Sequence, residues 1–162
     1  MKSNEFTSEM STAWNHLQEH PLGTLATINK LGLPELATVY LFVENDFTCY
    51  FVTKTSTRKF QNLMTHEDAS ILSYDENELT SVELAGKVEV ITDASTIIPI
   101  IEKFQHVVAD RKAGYWIPPI SQLDAGQYAV CKLAPNAVQV HIFAKKPNDP
   151  LLPKQLSFNP QG

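Results

Sequence analysis

The sequence predicts a mainly β chain, with six to seven antiparallel strands in a closed or partly closed barrel and helices packed outside it. Three observations carry this. Apolar runs of strand length recur along the chain, separated by turn residues. Stretches at helical spacing interrupt them after the third and the fifth run. No regular strand–helix alternation appears, which disfavours a doubly wound parallel sheet.

Thr7 or Ser8 caps a first helix reaching about His20, with Met10, Ala13, Trp14 and Leu17 on one face. Pro21 ends it. Residues 22–29 read as the first strand, and Lys30-Leu31-Gly32 before Pro34 as a turn. Residues 36–43 form the second strand, Glu44-Asn45-Asp46 a tight turn and residues 47–53 the third strand. Such short connections make an antiparallel meander. Ser56 or Thr57 opens a second helix, KFQNLMTH, with Phe60, Leu63 and Met64 facing inward.

Residues 69–74 are the fourth strand, 75–79 a polar turn and 81–92 a longer fifth strand, in which Gly86 marks a bulge or a close backbone approach. Asp93 and Ser95 fit the cap of a third helix carrying Ile97, Ile101, Phe104, Val107 and Val108, with Pro99 in its first turn. After a turn-rich loop over 113–122, residues 128–133 and 137–143 form a last hairpin across Pro135-Asn136. Residues 1–145 thus make a single domain. Residues 146–162 form an extended tail with Pro147, Pro150, Pro153 and Pro160, frayed or docked on a partner.

Composition narrows the function. With 162 residues and 43% apolar content the chain has enough core to fold without staples. Its 18 acidic against 13 basic residues give a net charge of -5, which argues against a general nucleic-acid binder. Cys49 and Cys131 lie in apolar strands and read as buried thiols of a reducing compartment. The N-terminus lacks the order of a signal peptide, and no apolar run has the length of a membrane helix, so the expected location is cytoplasmic. The five histidines are scattered without ligand spacing, so no metal site is expected. Hydrolase chemistry has no support, since there is no nucleophile elbow and no Cys-His spacing.

One stretch stands out. The apolar strand Phe47 to Thr53 runs into the hydroxyls of Thr55, Ser56 and Thr57, and a helix opens on Arg58-Lys59. Cations at a helix start oppose the helix dipole. Beside hydroxyls and free N–H groups, their placement suits a phosphate. Trp116 and Tyr115, in a loop beside two prolines, read either as a lid or as packing at a dimer edge.

Four segments together resemble the FMN-binding split-barrel family typified by pyridoxamine 5′-phosphate oxidase. They are Gly23-Thr24-Leu25-Ala26-Thr27 leading to Gly32-Leu33-Pro34 and Ala37-Thr38-Val39; Phe51-Val52-Thr53 followed by Arg58-Lys59; Ala69-Ser70-Ile71-Leu72; and residues 82–90, VELAGKVEV. The resemblance implies an FMN-binding split β-barrel and a homodimer with cofactor sites at the subunit interface. It implies that Arg58, Lys59 and Thr57 hold the FMN phosphate, and that Val52 and Thr53 lie beside the flavin, mainly through backbone groups. Ala37, Thr38 and Val39 would line the ring, and Ser81 would reach it from the other subunit.

The chain departs from the oxidases where an arginine joins their phosphate site, near Ala37 or Thr38, and where a glutamine stands in place of Ser81. It also lacks their C-terminal Trp and Arg signature. The expectation is therefore a flavin-dependent reductase or oxidase acting on an unknown small molecule, with NADH or NADPH as the possible electron donor and no assignable acid or base. The alternative is a non-catalytic binder of flavin, deazaflavin or haem, acting as a carrier, sensor or stress protein.

Overall fold

The structure is a computed structural model and describes residues 7–109, 120–143 and 154–160. Helix α1 (Ser8–Glu19) starts at the predicted cap, where Thr7 Oγ1 accepts from Met10 N at 3.3 Å. The strands are β1 (Leu22–Ile28), β2 (Pro34–Tyr40), β3 (Phe42–Val43), β4 (Cys49–Lys54), β5 (Asp68–Asp75), β6 (Thr80–Ile91), β7 (Tyr128–Ile142) and β8 (Lys154–Phe158). Between them lie α2 (Arg58–Leu63), α3 (Ala94–Ala109) and α4 (Ile120–Asp124).

All strand pairs are antiparallel, in the order β2-β1-β5-β6-β7-β4-β3, with β8 added on β7. The two ends of this path, β2 and β3, are consecutive in the chain and separated by Leu41 alone. Leu41 is buried, and its N–H donates to Pro21 O at 2.7 Å. A sheet whose first and last strands share one corner must curl round on itself. The result is the split barrel expected from the sequence.

Three predicted features come out differently. The first three strands do not form a meander, because β2 and β4 are not ladder neighbours and the chain turns a corner at Leu41 into the short β3. Phe47 is not in the third strand. It takes φ 65° in the turn, which buries its ring completely in the core.

The last hairpin is instead one 15-residue strand, β7, whose two halves both pair with β6. Its register shifts between Ala85 and Gly86, opposite Pro135-Asn136. A Cβ at Gly86 would lie 2.2 Å from Ala134 O, so only glycine admits this approach, and the bulge tolerates a proline without an N–H. Sequence cannot separate a two-residue hairpin turn from such a bulge, since both read as Pro-Asn between apolar runs.

The smaller differences have local causes. Helix α3 begins at Ala94 because Asp93 caps it, with Oδ2 accepting from Thr96 N at 2.9 Å, and Pro99 therefore falls in the second turn. Helix α2 ends at Leu63, which leaves Met64 exposed rather than facing inward. Part of the tail forms β8, where Phe158 meets the Phe47 ring with centroids 5.3 Å apart. Tyr115 and Trp116 lie outside the described residues.

Two cores result. Leu25, Phe51, Ile71, Leu84, Leu133 and Val138 fill the barrel, and Ala13 and Leu17 of α1 join them. On the other face of β4 and β7, Tyr50 and Val130 pack with Ile100, Ile101 and Phe104 of α3. Strand β4 is thus covered on both faces, which is why its sequence is continuously apolar rather than alternating.

Candidate functional site

The site begins at an interrupted edge. Strand β3 pairs only with Cys49 and Tyr50 of β4, so the β4 edge from Phe51 onward faces β2 with no ladder between them. At the end of this split β4 runs into the turn before α2. Here lies a cavity of about 190 Å³, lined by Thr27, Glu35, Ala37, Thr57, Arg58 and Lys59 among others. Three residues that the sequence assigns to a phosphate, Thr57, Arg58 and Lys59, are brought together in it.

The hydroxyls of the turn brace it from within. Thr57 Oγ1 donates to Lys54 O at 2.7 Å, which leaves its oxygen to accept from Thr53 Oγ1 at 3.2 Å. Thr53 is buried behind Thr57. Thr55 Oγ1 donates to Gly126 O at 2.7 Å and ties the turn to the segment before β7. With its hydroxyls so engaged and α2 only six residues long, the pocket draws its attraction for anions mainly from the two cations.

The two cations differ. Arg58 is an open guanidinium, its side chain 84% exposed, with Nη1 3.7 Å from Glu35 Oε1. Lys59 is half-buried and has no ion-pair or hydrogen-bond partner among the described residues. Burial pulls its ammonium below the ordinary lysine range. A half-buried charge without a counter-ion is costly, and an anion placed in the cavity would relieve that cost. The residues present therefore fit a phosphate. Beneath them Cys131 is a buried thiol, its pKa pushed up to about 12 by its burial.

The sequence reading missed Glu35, which β2 carries into the cavity on the same inward row as Ala37 and Val39. Its Oε2 accepts from Asn62 Nδ2 at 3.1 Å and its Oε1 from Asn29 Nδ2 at 3.3 Å. These amides, more than Arg58, hold its carboxyl below the usual carboxylate range. Asn62 was the available signal, because a polar residue on the inner face of a helix, beside Leu63, needs a buried partner.

The remaining assigned residues lie elsewhere. Val52 packs against the cluster beneath α3, with its backbone in register with Val130. Thr38 and Ser81 share the outer face of the β2-β1-β5-β6 sheet: Thr38 pairs with Thr24, and Ser81 pairs with Tyr74. That face is unusually apolar, exposing Leu22, Leu36, Leu72 and Tyr74. A hollow of about 330 Å³ at its margin has Asp68 as its charged lining residue, which disfavours phosphate there. Across the turn from the anion pocket is an open cleft of about 880 Å³, where Lys54 sits over the Tyr128 ring at 5.7 Å. Among the described residues no group of three or more His, Cys, Asp or Glu is arranged to hold a metal, and no helix is long and apolar enough to cross a membrane.

Comparison with known proteins places the fold and the family. The family model described as "Pyridoxamine 5′-phosphate oxidase" matches residues 10–141. No curated protein matches the chain at a significant level. Among solved structures, a haem-binding protein from Mycobacterium smegmatis superposes with a TM-score of 0.70 at 19% identity, over 96% of this chain and 59% of its own. The chain thus spans about three fifths of that protein. A relative of general stress protein 26 from Clostridium acetobutylicum, of the pyridoxinephosphate oxidase family, gives 0.65 at 14% identity, over 93% of both chains. A pyridoxamine 5′-phosphate oxidase-related, FMN-binding protein from Nostoc punctiforme gives 0.59 at 15% identity, over 98% of both. At such identities the likeness is one of fold.

Proposed function

The chain belongs to the pyridoxamine 5′-phosphate oxidase family, and from that premise we propose that it is a homodimeric FMN-binding oxidoreductase acting on a small molecule. The observation that carries the reading is Lys59, a half-buried cation without a partner among the described residues, in a cavity that also holds Arg58. Bound flavin would supply hydride and electron transfer, with NADH or NADPH as donor. The protein's own part is to bind and orient. Lys59 and Arg58 would hold the phosphate through charge-assisted bonds, with Thr53 and Thr57 keeping the turn rigid behind them. In this reading the ring would lie beside the unladdered edge of β4, facing β2.

The two surfaces carrying assigned residues favour a dimer. Thr38 is exposed on the apolar sheet face and Ser81 is buried on the same side of the sheet by register, and neither lines the anion pocket. A second copy covering that face would bury its leucines and bring a partner's residues toward the cofactor.

Flavin absorbance retained after loading with FMN and desalting tests this. The double substitution Arg58→Ala with Lys59→Ala is expected to lose at least about tenfold in FMN affinity, since charge-assisted bonds are the strong ones. Riboflavin, which has no phosphate, should bind it as before. Unchanged FMN affinity would overturn the phosphate assignment.

A further inference from the structure

The anion pocket contains a carboxylate that a phosphate site does not need. Glu35 is surrounded by donors: Asn62 Nδ2 at 3.1 Å, Asn29 Nδ2 at 3.3 Å and Arg58 Nη1 at 3.7 Å. None of these can accept a proton from it, so the group is an ionised acceptor.

Nor can it turn away. Asn29 is locked because its Oδ1 accepts from Leu31 N at 2.9 Å and Leu33 N at 3.0 Å, which aims its amide at Glu35. Asn62 is buried, and its Nδ2 also donates to Thr27 Oγ1 at 3.1 Å. Moving the carboxylate out would strand a buried amide donor. The charged lining residues are then Arg58, Lys59 and Glu35, two cations and one fixed anion.

We infer that Glu35 makes this pocket select a singly charged phosphate, either a diester or a singly protonated monoester, over a dianionic monoester. The inference rests on reading the cavity as the phosphate site. A dianion would enter with a fixed carboxylate beside it and no proton between them. A diester carries one charge fewer, and a protonated monoester can donate its P–O–H to Glu35.

Fluorescence quenching with riboflavin, FMN and the monomethyl ester of FMN tests this at about pH 8 and about pH 5.5, on either side of a monoester's second ionisation near 6. At the higher pH the wild-type protein should bind the methyl ester about tenfold or more tightly than FMN, the scale of one added like charge at close range. In Glu35→Gln the gap should close because FMN binds more tightly, with riboflavin unchanged. Tighter binding of FMN than of its ester at the lower pH assigns the protonated monoester; preference for the ester at both pH values assigns a diester.

Wild-type protein that prefers FMN to its ester at the higher pH overturns the inference. So does a Glu35→Gln variant in which riboflavin affinity moves as much as that of FMN, which would mark a packing role. Failure of the phosphate reading is separately visible, as equal affinity for FMN in wild type and in the Arg58→Ala, Lys59→Ala variant. A protein that binds none of the three flavins overturns both.

Discussion

At the scale of single residues, neighbours decide what a side chain can do. Thr57 looks in sequence like a ligand hydroxyl, yet its proton goes to Lys54 O and its oxygen accepts from Thr53. Glu35 looks like a solvated charge beside a turn, yet two side-chain amides hold it inside the pocket. Gly86 was legible as a bulge or a close approach because glycine within a strand has few other uses. Gly86→Ala is expected to destabilise the fold by about 1–3 kcal/mol, the usual cost of overpacking, because the new Cβ would meet the Ala134 carbonyl. Urea denaturation monitored by Trp fluorescence would read it, and a midpoint equal to wild type would contradict it.

At the scale of elements, α1 is docked by polar contacts as well as by Leu17. Ser73 Oγ on β5 donates to His20 O at 2.8 Å, so His16 Nε2, 3.1 Å away, must carry the proton that it gives to Ser73 Oγ. That leaves His16 Nδ1 buried without a partner among the described residues. Burial, and then the neighbouring His20, lower the His16 pKa below its ordinary 6.5. The sign follows from linkage: the unfolded chain takes up a proton that the folded chain resists.

Stability should therefore be full above about pH 6.5, the unfolded histidine value, and fall as pH drops through it toward the lower folded value. In His16→Gln that part of the pH dependence should vanish. Thermal unfolding at several pH values checks this, with an unchanged slope in the variant as the contrary result. The carboxyl of Asp75, lowered chiefly by the Asn77 N–H, acts only further down, below the ordinary carboxylate value.

At the scale of the whole molecule, the sheet has one face filled by the barrel core and another that exposes leucines. On β5 the inward Ile71 is fully buried, while its neighbour Leu72 is 45% exposed. Leu72 sits in register between Thr24 and Glu83, in the middle of the outer face. If a second copy covers this face, Leu72→Asp adds a carboxylate next to Glu83 and should convert a dimer to a monomer in sedimentation velocity, with FMN retention falling in parallel. A variant that sediments as wild type would remove this face from the dimer.

By itself the sequence determined most of the strands and helices, a first cap at Thr7 or Ser8, a bulge or close approach at Gly86 and the hydroxyl–cation turn after the third strand. All of these rest on local chemistry: alternation, side-chain capping, glycine's missing Cβ and the grouping of charges. The tertiary structure decided what pairs with what. The corner at Leu41 moves β3 to the far end of the sheet, β7 runs through Pro135 as one strand, and β8 closes on β7. It also decided the content of the pocket, because Glu35 and Lys59 lie far apart in the chain and meet only when β2 curls round to face the end of β4. The physical reason is that a local pattern fixes which face of an element is apolar, whereas the charges that share a cavity are set by sheet closure.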